Sequence, residues 1–151
     1  MSRGTGYVVA QFVMMGAILL AMLVPPDWPS GARELRWIVA ALGAAGGIAI
    51  CVAAGRVLGR GLTPYPRPVE GAPLVDSGPY TVVRHPFYVG GLLLFTGWSL
   101  VTGPVPLALT VVLAILWGFK ARLEERHLRK VYPGYMAYTE RVRWRFLPGL
   151  H

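Results

Sequence analysis

The chain has 151 residues, 54% hydrophobic and 15% charged, with a mean hydropathy of +0.50. That is too apolar for an ordinary soluble domain of this length and predicts an integral membrane protein. The net charge of +8 calls for no nucleic acid, since a basic excess at one membrane edge follows from topology and attraction to anionic lipid headgroups, and no nucleic-acid-binding module is visible.

Four apolar stretches are predicted to cross the membrane: residues 7–24, 37–58, 87–101 and 106–119. At ~1.5 Å per residue the first two reach about 27 and 33 Å, enough for a hydrocarbon core of roughly 30 Å. The first is followed by Pro25-Pro26-Asp27 instead of a small-x-small cleavage site, so it reads as a retained helix and not a signal peptide. Within the second, Gly43, Gly46, Gly47, Gly55, Gly59 and Gly61 lie among alanines with no strand before them. They are expected to serve close helix packing, not a dinucleotide loop. Cys51, the single cysteine, reads as a small packing residue, which leaves no disulfide and no cysteine-based metal site. Arg56 can snorkel to the interface.

Residues 62–78, with Pro64, Pro66, Pro68 and Pro73, form a loop within one domain spanning 1–151. A loop this long is often functional. The third and fourth stretches give only ~22 Å each as helices, joined by the uncharged Thr102-Gly-Pro-Val-Pro106. From Lys120 to Val131 no Pro or Gly interrupts a run of strong helix formers, so the fourth helix is expected to extend into water. Of the 15 Lys and Arg, Arg56, Arg60, Arg67 and Arg84 flank the central loop and eight lie from Lys120 onward. This asymmetry predicts a cytoplasmic central loop and cytoplasmic termini.

Two charged and aromatic segments then fall at the same predicted membrane edge. The first contains Leu74-Val75, Gly78-Pro79-Tyr80 and Arg84-His85-Pro86-x-Tyr88-x-Gly90; the second contains Glu124-Glu125-x-x-Leu128, Tyr135-x-x-Tyr138-x-x-Arg141-Val142 and Phe146-Leu147-Pro148. Together, over residues 74–148, they resemble the isoprenylcysteine carboxyl methyltransferase family and the related phospholipid methyltransferases. The resemblance implies an all-α membrane protein with four transmembrane helices, whose cytoplasmic loop and helical tail form the cofactor site. It implies methyl transfer from S-adenosylmethionine to a lipophilic or membrane-embedded acceptor among the lipids. It assigns cofactor binding to Leu74, Val75, Tyr80, His85, Pro86, Phe87, Tyr88 and Glu124. Lys120 takes the position of a basic residue that faces substrate in the family, where arginine is usual, with Arg122 as a nearby substitute.

The residue types suit that chemistry. S-adenosylmethionine offers a sulfonium, a carboxylate, ribose hydroxyls and a flat adenine, which call for aromatic faces, a cation, an acceptor and backbone donors. Tyr80 and Tyr88 can supply faces, Arg84 or His85 a cation, and Glu124 an acceptor. A carboxylate acceptor would need orienting by Lys120, Arg122 or Arg141; an amine would need a proton acceptor such as Glu124, Glu125, Glu140 or His127. Both alternatives stay open.

Plainer roles compete for the same residues. His85-Pro86 can simply start a helix, Glu125 and Arg129 can form a solvated i,i+4 pair, and Tyr135, Tyr138 and Trp144 can anchor at the interface. His127 and His151 read as solvated, and no cluster suggests a metal. Family resemblance weakens near the C-terminus, where Val142-Arg143-Trp144-Arg145 and Pro133-Gly134-Tyr135 depart from the usual pattern. A nicotinamide-dependent steroid-type reductase is the alternative enzyme, but its Asn and Glu positions hold Phe87 and Gly91 here. A non-catalytic scaffold of the same fold is the third reading.

Overall fold

The computed structural model describes residues 4–24, 28 and 31–146; Pro25-Pro26-Asp27, Leu147-Pro148 and His151 lie outside them. Among the described residues every regular element is helical, without strands: α1 (Thr5–Ala21), α2 (Arg33–Leu58), α3 (Pro86–Thr102), α4 (Pro104–Val131) and α5 (Tyr135–Arg141), with short 3₁₀ turns at Gly59–Gly61 and Gly78–Thr81.

Two segments, Arg33–Gly61 and Pro104–Val131, are long and apolar enough to cross a bilayer, and most of their apolar surface faces outward. Leu42, Ile48, Val52, Val111, Val112 and Ile115 are exposed. An apolar surface of this extent on long helices is suited to lipid and marks a membrane protein. α1 departs from expectation, because its helix ends at Ala21 and has 17 residues. Pro25 disfavours helical geometry at the residue before it, which shortens the first stretch at its end. α3 also has 17 residues, whereas α4 extends through Lys120 to Val131 as its run of helix formers predicted, for 28 residues in all.

α2 packs along α3, α3 along α4, and α1 along α4. The α2–α3 seam depends on missing side chains: a Cβ on Gly90 would lie 2.6 Å from Cys51 Sγ and 2.8 Å from Gly47 O. Small residues at such a seam let two membrane helices approach closely. Gly43 and Gly47 share this role, but Gly46 faces open space, and Gly59 instead supplies a backbone with φ +50° where α2 ends. The connection between α3 and α4 is tighter than the five-residue turn the sequence suggested. Gly103 alone makes it, at φ 154° and ψ 172°, a region essentially restricted to glycine. With one residue between them, α3 and α4 run antiparallel, so the start of α3 and the end of α4 share one end of the molecule.

Candidate functional site

At that shared end, Glu124 and Glu125 point different ways from α4 and divide the polar groups between them. Glu124 accepts a hydrogen bond from Tyr88 Oη at 2.5 Å and lies 3.6 Å from Lys120 Nζ and 3.3 Å from His85 Nδ1. Lys120 precedes Glu124 by four residues, one helical turn, which puts both on the same face. Tyr88, a turn into α3, stacks on His85 at 5.4 Å between centroids and on Trp117 at 5.0 Å, and its ring lies 5.3 Å from Lys120 Nζ.

Glu125, 2% exposed, holds a second cluster. Its carboxylate accepts from Arg84 Nε at 3.0 Å, Arg145 Nε at 2.9 Å and Arg145 Nη2 at 2.8 Å, and lies 3.3 Å from His85 Nε2. Glu125 is therefore not the solvated partner of Arg129 that its spacing suggested; that contact, at 3.9 Å, joins it to a half-exposed guanidinium. A single buried carboxylate attracts several cations because nothing else there offsets its desolvation.

His85 bridges the two carboxylates. Each ring nitrogen faces a carboxylate oxygen at 3.3 Å, and both can donate only if the ring is doubly protonated. Burial alone would lower its pKa, but the hydrogen bonds and charges of Glu124 and Glu125 outweigh burial and raise it.

The C-terminal tail closes over this end. Arg84 donates through Nη1 to Val142 O at 2.8 Å and to Arg143 O at 2.7 Å, while the backbone N–H groups of Arg84 and His85 donate to Trp144 O and Arg145 O. Phe146 then rests against the His85 and Tyr88 rings. Tyr135 and Tyr138 are buried together beneath the tail, and Tyr138 Oη donates to Tyr80 O at 2.9 Å. Burial raises both phenol pKa values, that of Tyr138 to about 12. These two are interior residues, not interfacial anchors.

The Glu124 side of this arrangement borders a cavity of about 880 Å³, which Glu125, Arg145 and Phe146 do not line. Its polar end is lined by Tyr80, His85, Tyr88, Lys120 and Glu124, its roof by Leu74, Val75 and the 62–73 loop, and Phe87 faces it from α3. It continues as an apolar groove bordered by Phe12, Met15 and Leu19 of α1, by Met22 just beyond it, and by Leu94, Phe95 and Trp98 of α3. Of the residues singled out from the sequence, Pro86 is buried at the first position of α3 without lining the cavity. Arg122 and Arg141 stand apart from it. Arg122 is exposed and lies over the Phe119 ring at 5.7 Å, and Arg141 pairs with Asp76 on the surface at 2.5 Å. Two residues beyond Lys120, Arg122 is rotated by about 200° and turns away from Glu124. His127 bonds Leu123 O on its own helix, and Glu140 does not line the cavity.

The cavity suits a small-molecule ligand. Its volume is within the range of about 300–1,000 Å³ for small-molecule sites, mostly apolar with a few convergent polar groups. On two residues that line it, Trp117 Nε1 and Tyr135 Oη are buried with no hydrogen-bond partner, although such groups are normally satisfied.

Apolar helices surrounding a cavity that is charged and aromatic at one end and oily along its length define a membrane protein with a small-molecule-sized cavity. The sequence profile of the phospholipid methyltransferase family matches residues 35–134, two thirds of the chain, and the protein belongs to that family of methyltransferases. It is also similar to the cobalt-zinc-cadmium resistance protein CzcN of Cupriavidus metallidurans, at 39% identity over 73 residues. That similarity covers 46% of this chain and 33% of the relative, so the chain matches about a third of that protein's length.

Proposed function

We propose that the protein is an S-adenosylmethionine-dependent methyltransferase acting on a membrane-embedded or lipophilic acceptor, a lipid amine or an isoprenylcysteine-type carboxylate. The observation that carries the reading is the continuity of one cavity: Glu124, His85, Tyr88 and Lys120 stand at its polar end, and the groove between α1 and α3 extends from them. A ligand with a polar head and an apolar tail fits that division.

In this reading Leu74, Val75, Tyr80, His85, Phe87, Tyr88 and Glu124 hold the cofactor, with Pro86 setting the start of α3. The bound cofactor supplies a methyl group activated on a sulfonium. The chain's own residues orient and exclude. Glu124, already hydrogen-bonded to Tyr88, offers a carboxylate toward the cavity. The Tyr88 and Trp117 rings and the Phe146 cap keep water from the reacting groups, and Lys120 faces the acceptor. The unpaired Trp117 Nε1 and Tyr135 Oη add one donor each. Arg122 and Arg141 have no part in it.

The same reading takes residues 1–151 as one domain crossing the membrane four times. α1 and α3 complete the spans begun by α2 and α4, and the termini and central loop face the cytoplasm. The distribution of Lys and Arg supports that orientation.

Calorimetry on the purified protein in detergent tests the proposal with S-adenosylhomocysteine as ligand. Glu124→Ala and His85→Ala should each weaken binding by about tenfold, the loss expected for charge-assisted hydrogen bonds. Unchanged affinity in both variants would remove them from the site. Thermal stabilisation by NADPH instead of S-adenosylhomocysteine would favour a reductase.

A further inference from the structure

The match to the family begins at residue 35, so it leaves α1 out, yet α1 lines the cavity and contributes one polar side chain to it. Between Tyr7 and Ala21 the helix is apolar except for Gln11, which is 6% exposed. A buried amide is expensive without a partner, and polar residues inside membrane helices tend to face a functional interior. Gln11 Oε1 accepts a hydrogen bond from Lys120 Nζ at 2.7 Å. This contact joins residues 109 apart in sequence and ties α1 to α4 at the polar end of the cavity.

The pairing fixes which way the amide faces. An ammonium group only donates, so Gln11 must present its oxygen to Lys120, and its NH₂ is left with two donors. Among the described residues the NH₂ makes no hydrogen bond, and Gln11 lines the cavity beside Lys120, Glu124 and Tyr88. Lys120 is held on three sides, by Gln11 at 2.7 Å, Glu124 at 3.6 Å and the Tyr88 ring at 5.3 Å. Glu124 and Tyr88 belong to the proposed cofactor end; Gln11 belongs to the wall of the apolar groove.

We propose that Gln11 is a positioning residue of the site. It holds the Lys120 ammonium at the junction between the cofactor end and the groove, and presents its own N–H donors to an oxygen of the acceptor's headgroup. The acceptor half of this inference rests on the methyltransferase reading; the Gln11–Lys120 pairing does not. The consequence is a division of labour in which α1 governs acceptor binding while α3 and α4 govern the cofactor.

The chain has two lysines, Lys120 and Lys130, of which Lys120 is buried and Lys130 exposed, so lysine labelling reads the pairing directly. Reductive methylation with ¹³C-formaldehyde, followed by NMR, should label Lys120 slowly relative to Lys130 in the wild-type protein. In Gln11→Leu, and in the near-isosteric Gln11→Met should the first fold poorly, Lys120 should react about tenfold faster, the change expected for losing one hydrogen bond to a charged group. Gln11→Glu, which keeps an acceptor oxygen, should restore slow labelling. Equal Lys120 rates in the wild type and Gln11→Met would overturn the pairing.

For the acceptor, N-acetyl-S-farnesylcysteine and phosphatidylethanolamine vesicles serve as separate probes. With whichever is methylated, Gln11→Met should raise KM about tenfold while leaving S-adenosylhomocysteine affinity within about twofold. Cofactor affinity falling as far as acceptor affinity would overturn the division of labour and make Gln11 a support of the fold. A wild-type protein that binds no S-adenosylhomocysteine would sink the methyltransferase reading, and with it the acceptor role, while the labelling ratio still decides the pairing.

Discussion

Glu125 and Arg145 are joined by two hydrogen bonds, Nε to Oε1 at 2.9 Å and Nη2 to Oε2 at 2.8 Å, a fork that fixes the C-terminal tail to α4. The same carboxylate holds Arg84 at 3.0 Å, and Arg84 in turn grips the tail's carbonyls. One acid therefore joins α4, the approach to α3 and the segment that places Phe146 over His85 and Tyr88. Glu125→Ala would leave two guanidinium groups with their buried partner removed, a loss on the order of 3–5 kcal/mol. Arg129→Ala, on the exposed side, should change stability by less than about 1 kcal/mol. Denaturant titration of both variants in detergent checks this; equal losses would mean that the buried cluster does not hold the tail.

His85 gives the site a pH dependence with a definite sign. Its folded pKa lies above the ordinary value of about 6.5, because Glu124 and Glu125 outweigh burial. A histidine shifted this way adds stability that is fully present below about 6.5 and disappears as pH rises through its folded pKa. The protein should therefore lose stability on the alkaline side of about 6.5, and His85→Asn should remove that part of the slope. Nitrogen-15 spectra followed across pH should show the imidazole signals that vanish in His85→Asn losing their second proton only above pH 6.5. Loss of that proton below pH 6.5 would overturn the bridge.

How much of this could be read in the sequence depends on the separation of the partners. The apolar helices, the extension of α4 to Val131, and the i,i+4 placement of Lys120 and Glu124 are local consequences of composition and helical spacing, and all were legible. Helical spacing also places Arg122 on the wrong face, a signal the resemblance overrode. Gln11 carried a hint, a lone amide in an apolar helix, but its partner lies 109 residues away. The buried role of Glu125 was hidden for the same reason. Its partners Arg84 and Arg145 come from segments 41 and 20 residues distant, while Arg129, one turn along, offered a nearer and weaker explanation.

Tyr135 separates ligand binding from fold stability. Its ring is 1% exposed, its hydroxyl lacks a partner, and burial pushes its phenol far above the usual range, so at neutral pH it is a protonated group with an unused donor. Removing an unsatisfied buried hydroxyl takes away a penalty, so Tyr135→Phe should leave thermal stability unchanged or slightly higher. If the ligand uses that hydroxyl, affinity for S-adenosylhomocysteine should fall by about tenfold. Calorimetry beside a melting curve reads both. A loss of stability with unchanged affinity would show that the hydroxyl serves the fold instead.

The α2–α3 seam makes the last test, because it links helix packing to site geometry. A side chain at Gly90 would meet Cys51 Sγ at 2.6 Å and Gly47 O at 2.8 Å, and the second contact is to backbone that cannot swing aside. Gly90→Val should therefore force α3 away from α2, at roughly 1–3 kcal/mol of overpacking. A methyl group added at Gly46 would have nothing within 4 Å, so Gly46→Ala should be neutral or stabilising by up to about 1 kcal/mol through helix propensity. Because α3 begins beside His85 and carries Tyr88 one turn later, a displaced α3 should also weaken S-adenosylhomocysteine binding in Gly90→Val but not in Gly46→Ala. Unfolding and calorimetry on the pair decide it: similar stability in both variants would mean that α2 and α3 do not meet at Gly90, and reduced stability with intact binding would detach the seam from the site.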